Sequence, residues 1–192
     1  LYVSPWVHYY HSSRWKFPGF VAYFYNKDVP EINQRKAPEV RTALQAQYFF
    51  RKIPYTLNAR FRLEDRKILN DENVWEATYR FRLQMRCIYP INNKFISGGT
   101  FYALGSDELM FKSGSFIAGT QFFDRNRLTL GGGYAFTDDL QLEITYANEY
   151  LPRPDSKELY HALQVNVVFN NFLSNLKKNF FHKKALEPIN SD

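Results

Sequence analysis

The stretch RLTLGGGYAFTDDLQLEITYANEY, Arg127 to Tyr150, carries two apolar/polar alternations hinged at Thr137-Asp138-Asp139. Period two on both sides of a short polar turn predicts a β-hairpin. Leu128, Leu130, Tyr134, Phe136, Leu140, Leu142, Ile144 and Tyr146 fall on one side of it. Thr129, Gly131, Gly133, Ala135, Gln141, Glu143 and Thr145 fall on the other. In a water-soluble sheet the apolar side is the core. In a membrane barrel it faces lipid and the polar side lines the lumen, so function turns on this choice.

The same period runs through most of the chain, and helical periodicity is nearly absent before the C-terminus. Strands are expected at about 1–11, 15–26, 39–51, 55–67, 74–89, 94–112, 124–137, 140–150 and 158–170. A tilted strand crosses a bilayer in about 9–11 residues, whereas ordinary globular strands average about 5–6. The segment lengths therefore favour a barrel, although 94–112 could break in two within ALGSDELMF. The joints HSSR, KIP, PINN and TDD are tight. NKDVPEINQRKAPE, ILNDEN, SGSFIAGTQFF and LPRPDSKE are longer and polar. Short periplasmic turns alternating with longer extracellular loops mark outer-membrane barrels. The last strand then ends in the periplasm. An even strand total requires at least one strand upstream of Leu1, for about 10 or 12 in all.

Composition leaves the membrane reading open. No stretch approaches the roughly 18–20 consecutive apolar residues of a membrane helix. Mean hydropathy is −0.46, but an alternating transmembrane strand dilutes its own signal. Aromatics make up 18% of the chain, an excess that fits either a large core or interfacial girdles. Those near strand ends (Tyr89, Tyr134, Phe136, Tyr146, Tyr150 and Phe169) suit girdles. The net charge of +6 is spread along strands and a tail without a nucleic-acid module, so nucleic acid is not an expected partner. The single cysteine, Cys87, excludes an internal disulfide. No signal peptide begins at Leu1, and the chain is read as processed or truncated there.

Two adjacent strands define the faces. In YTLNARFRLEDR, Leu57, Ala59, Phe61 and Leu63 alternate with Asn58, Arg60, Arg62, Glu64 and Arg66. In VWEATYRFRLQMRC, Trp75, Ala77, Tyr79, Phe81, Leu83, Met85 and Cys87 alternate with Glu76, Thr78, Arg80, Arg82, Gln84 and Arg86. A solvated outer face of a soluble sandwich, or a lipocalin-like barrel, shows equal alternation. Strand length, joint lengths and aromatic placement tip the reading to a membrane barrel.

In order along the chain, ARFRLEDR, RFRLQMRCIYPINNKF, SDELMF, FFDRNRLTLGGGYAFTDDLQLEITY and HALQVNVVF resemble a family of small bacterial outer-membrane barrels, domain of unknown function 2490. The resemblance spans about Val40 to Phe169, and the Arg-rich strand pair and Asp124 to Tyr134 carry it best. The family typically has Gln where this chain has Arg125, and Asn-Glu in place of Asp107-Glu108. Membership implies an outer-membrane barrel and no established activity. The last strand, ending on Phe169, also resembles a barrel-assembly signal, here followed by a tail.

Arg60, Arg62, Arg66, Arg80, Arg82 and Arg86 are expected to face the lumen, with Arg41 joining them and Glu64, Glu76, Glu108 and Glu143 as the acids. Arginine stays charged, so a poorly hydrated lumen must supply partners. A packed ionic plug is the expectation, an anion-attracting pathway the alternative. His11 and Ser13 resemble the His-x-Ser of outer-membrane lipid-modifying enzymes, but Arg14 replaces the usual Asn, and a polar turn is the better reading. The glycines at 131–133 lack the Lys and helix of a phosphate loop, and are expected to let the sheet bend or a bulky Arg approach the wall. His8 and His161 have no ligand spacing, so neither metal nor cofactor is expected.

These observations predict an all-β, antiparallel up-and-down transmembrane β-barrel over 1–171, nine of its strands visible, and a basic periplasmic tail over 172–192. Phe61, Leu63, Tyr79, Phe81, Leu83, Leu130, Leu142 and Ile144 should face lipid. In the tail, Lys177, Lys178, Lys183 and Lys184 interleave with apolar residues and are candidates for contact with a partner. The expected location is the outer membrane of a Gram-negative bacterium. The expected role is a structural or accessory subunit without catalysis, alongside outer-membrane lipid and other outer-membrane or periplasmic proteins. A narrow anion-selective channel is the second reading, and an outer-membrane lipid-modifying enzyme the third.

Overall fold

The computed structural model describes residues 2–29, 34–51, 55–70, 72–114, 120–152 and 157–169. They form one antiparallel sheet and, among the described residues, no helix. Its strands are β1 (Tyr2–Val3), β2 (Trp6–Tyr10), β3 (Trp15–Val29), β4 (Gln34–Arg51), β5 (Thr56–Leu69), β6 (Trp75–Pro90), β7 (Thr100–Lys112), β8 (Phe123–Ala135), β9 (Leu140–Pro152) and β10 (Lys157–Phe169). β1 and β2 both pair with β3, against Tyr23–Phe24 and against Lys16–Phe20, so they are two pieces of one edge strand. Pro5, which has no amide hydrogen to donate, lies between them. From β3 to β10 each strand pairs with the next, and these eight with the composite edge strand give nine up-and-down strands.

The expected hairpin is present, with Ala135 opposite Gln141 and Asn126 opposite Tyr150. The turn is closed by Phe136 N–H donating to Leu140 O, and by the Thr137 hydroxyl accepting from the amides of Asp139 and Leu140. Segment 100–112 is a single continuous strand, but its start differs from the reading. Residues 94–99 belong to a turn held by Asn92 Oδ1 accepting from Phe101 N–H, and by Asn93 Nδ2 donating to Thr100 Oγ1.

The expected alternation of tight turns and long loops is not what the structure has. β3 and β4 keep pairing through Lys27–Lys36 and Val29–Gln34, which leaves only 30–33 as their connection. The longest connections are 91–99 and 113–122, one at each end of the strands. The polar stretch around 26–38 reads as a loop by composition. Backbone ladders, however, need no apolar side chains once a hairpin has begun, and here the ladder simply continues.

Side chains on one face of the sheet are buried and those on the other are exposed, and the sheet curls strongly toward the buried face. Arg86 on β6 bonds Glu143 on β9 at 2.8 Å, and the Arg62 guanidinium on β5 lies 5.3 Å from the Trp6 ring on β2. In a flat sheet each of these pairs would be separated by three strand spacings, about 14 Å. Among the described residues no ladder joins β10 to β1 or β2. The two edges run in the same direction, as the ends of a nine-strand meander must. Almost every residue of β2 and β10 is exposed on both faces.

Candidate functional site

Chemistry is concentrated on the buried face. Arg60, Arg62, Glu64 and Arg66 of β5, Arg80, Arg82 and Arg86 of β6, Glu108 of β7 and Glu143 of β9 all project there, as their parity predicts. Arg62 and Arg82 stand directly opposite each other in the ladder, a like-charge pair that costs energy if left alone. Glu64 Oε1 resolves it by accepting from Arg82 at 2.9 Å and Arg62 at 3.3 Å. Arg82 also grips Glu108 with two parallel bonds of 2.9 Å, the fork geometry that only arginine offers. Arg60 reaches the same carboxylate at 2.6 Å. Glu64 and Glu108 are each 1% exposed, so these charges are paired away from water.

The network extends beyond the residues legible in the sequence. Glu39, the first residue of the strand expected over 39–51, lies well inside β4 and binds Arg66 through both oxygens and Arg41 through one. Asp124 holds Arg80 at 3.0 Å, Arg125 at 3.3 Å and Lys112 at 3.7 Å. Glu149 holds Arg125 and Arg127. A register shift at Met110/Phe111 sets Phe111 opposite Phe123 and Met110 opposite Arg125, so both Asp124 and Arg125 contribute to the buried network. Strict alternation could not have found both. Glu76 lies at the far end of β6, where it accepts from Asn70 Nδ2 at 3.2 Å.

Tyr102, 1% exposed, was also missed. Its hydroxyl reaches Glu143 and Gln141, two strands away, by passing over Gly133. A Cβ at position 133 would sit 2.3 Å from the ring. This glycine therefore admits a tyrosine, where an arginine had been expected. Gly131 has a different reason: a Cβ there would lie 2.2 Å from the Ile144 carbonyl oxygen on the neighbouring strand.

The opposite face is apolar and exposed. Phe61, Leu63, Tyr79, Phe81, Leu83, Leu130 and Ile144 are each 40% exposed or more, and Leu142 is half-buried beside them. Aromatic clusters mark both ends of the strands: Trp15, Tyr48 and Phe50, with Phe101, Tyr134 and Phe136, at one, and Phe111, Phe122 and Phe123 at the other. Tyr146 is not among them, since it lies at the centre of β9 and bonds His161. A polar row also interrupts this face. Asp107 accepts from Asn126 at 2.6 Å, and Asn148 contacts His161.

His11 and Ser13 are exposed turn residues. His11 packs on Tyr9 and Phe17, while Ser12 accepts from the amides of Arg14 and Trp15, so the segment is built as a polar turn. Cys87 is exposed on the apolar face, and His8 stacks on Trp6. Lys177, Lys178, Lys183 and Lys184 lie outside the described residues.

Comparison with curated proteins and with solved structures gave no match. One family model does match, over residues 1–160, reaching upstream of Val40, where the resemblance begins, and covering β1 to the start of β10. The chain belongs to this family, described as "Protein of unknown function (DUF2490)".

Proposed function

We propose that the chain is a bacterial outer-membrane β-barrel whose lumen is filled by an ionic plug, serving as a structural or accessory subunit and not as a catalyst. One observation carries this reading: the burial of the sheet is inverted. Arg62, Glu64, Arg80 and Glu108 are buried, while Phe61, Leu63, Phe81 and Leu83 beside them in sequence are exposed. Burying one large apolar side chain is worth about 1.5–3 kcal/mol, so a monomer in water would forgo that gain at each of these positions. Water-soluble proteins rarely leave such a patch uncovered. A bilayer covers it. Strands of 13 to 18 residues from β3 onward exceed the membrane crossing, and the polar extension of β3 and β4 suits the part that emerges.

Partner contact is assigned to the basic segment 172–192, together with outer-membrane lipid. The cations of the network outnumber the carboxylates they share, which favours one second reading, a narrow anion-selective path. Lipid exposure is tested by placing single cysteines, in a Cys87→Ala background, at Phe81, Leu142, Arg62 and Arg82 of protein reconstituted into vesicles. Labels at Phe81 and Leu142 should be quenched by bromine on lipid chains, and those at Arg62 and Arg82 spared. Quenching confined to the arginine positions would overturn the proposal.

A further inference from the structure

A polar cavity of about 240 Å³ opens on the buried face among β5, β6, β7, β8, β9 and β10. Four guanidinium-bearing residues line it, Arg60, Arg82, Arg86 and Arg127, against two carboxylates, Glu108 and Glu143. These cations are unequally served. Arg82 is held by Glu108 through two bonds and by Glu64 through a third. Arg127 is held by Glu149 at 2.6 Å. Arg60 has only a share of the Glu108 oxygen that Arg82 already occupies, and Arg86 shares one Glu143 oxygen with the Tyr102 hydroxyl.

Among the described residues, buried side-chain atoms without a hydrogen-bond partner are few, and three belong to residues that line this cavity: Arg60 Nε, Arg86 Nε and Thr145 Oγ1. All three can donate a hydrogen bond. Arg60 stands opposite Gln84, so Arg86 is its diagonal neighbour across the β5–β6 ladder, and the two forks flank one space. Buried donors without acceptors, beside cations that lack full compensation, make a site short of negative charge and of acceptor oxygens together.

We propose that this cavity binds a small oxyanion of the phosphate class, held by Arg60 and Arg86 with Thr145 donating a third hydrogen bond. Guanidinium forks match the oxygen spacing of phosphate, and a dianion supplies the negative charge and acceptor oxygens that Arg60 and Arg86 each have only as a share of one carboxylate oxygen. The site goes beyond the plug reading. It depends on the packing of the buried face and not on what covers the other face, so the vesicle quenching test and the binding test below can fail separately.

The test is binding of inorganic phosphate to the full chain in a neutral detergent, by calorimetry at fixed ionic strength with chloride as the balancing ion. Saturable binding at one site is expected, with a rise in the unfolding temperature that chloride does not reproduce. Arg60→Gln with Arg86→Gln should weaken binding by about tenfold or more, since each change removes a charged hydrogen-bond donor. Thr145→Val should weaken it less and, being nearly isosteric, should leave folding intact. In a parallel titration, short-chain phosphatidic acid should compete poorly, because the site lies among strands. Three results would overturn the proposal: no saturable phosphate binding by the folded wild-type protein, binding unchanged in both variants, or binding of the lipid phosphate alone.

Discussion

Glu64 has a side chain with no exposure to solvent, and it is shared by Arg62, Arg82 and, at 3.9 Å, Arg41. Glu64→Gln keeps the shape but removes the charge these guanidiniums share, and none of them can neutralise itself by losing a proton. Unfolding in urea from reconstituted vesicles should show a loss of about 3–5 kcal/mol. Glu76→Gln, at the strand end beside Asn70, should cost under about 1 kcal/mol. Equal losses at the two sites would mean that the buried face is wet throughout. A second residue-scale test concerns Gly133→Ala, which must push the Tyr102 ring off its path and so cut its bonds to Glu143 and Gln141. The damage should be largely relieved by adding Tyr102→Leu, a coupling that a double-mutant cycle measures. Gly131→Ala meets backbone instead and should not be relieved by that change.

For the strands, the alternation was legible wherever one parity held charge and the other did not, as along β5, β6 and β9. What could not be read were events that break period two or composition. The shift at Met110/Phe111 brings Asp124 and Arg125 into one network, and the β3–β4 ladder runs on to Val29 and Gln34, beyond the apolar pattern. Ion-pair partners three strands apart, such as Arg86 and Glu143, follow from curl, which no local pattern encodes. The exposed parity leads to a prediction for β9. Ile144→Arg, near the middle of β9 and of the lipid band in this reading, should destabilise the folded state by about 2–4 kcal/mol in a bilayer. The same change nearer the strand end, at Tyr150, should cost about 0–1 kcal/mol, since depth sets the penalty. Equal unfolding midpoints for the two variants would contradict a lipid-facing band.

Across the whole molecule, the plug and the channel make opposite forecasts. A buried face crossed by pairs such as Arg60–Glu108 and Arg82–Glu64 has its side chains tied to one another, and reconstituted protein should pass almost no ion current in a planar bilayer. A stable, anion-selective conductance that Arg62→Gln with Arg82→Gln abolishes would put the channel first. The open edges bear on size. Because β10 runs parallel to β1 and β2, an antiparallel closure needs an odd number of further strands between them, in line with the even total expected of such barrels.

The sharing of carboxylates across strands also sets a clock. A hairpin of β5 and β6 alone carries Arg60, Arg62, Arg66, Arg80, Arg82 and Arg86 against only Glu64 and Glu76 on the same face, while Glu39, Glu108, Asp124 and Glu143 arrive on β4, β7, β8 and β9. In the membrane reading, until those strands dock, the guanidiniums that Glu64 does not hold would face lipid unpaired, a costly intermediate. Insertion should therefore be concerted, with the rate-limiting barrier crossed only when β4 through β9 move together. Glu108→Gln should slow insertion into vesicles in proportion to the stability it removes, because its bonds already exist at the barrier. Phe61→Ala on the other face should leave that rate nearly unchanged. Stopped-flow measurement of both variants would read the order of events directly, and a Glu108→Gln chain that inserts at the wild-type rate would show that the ion pairs form only after the strands are in place.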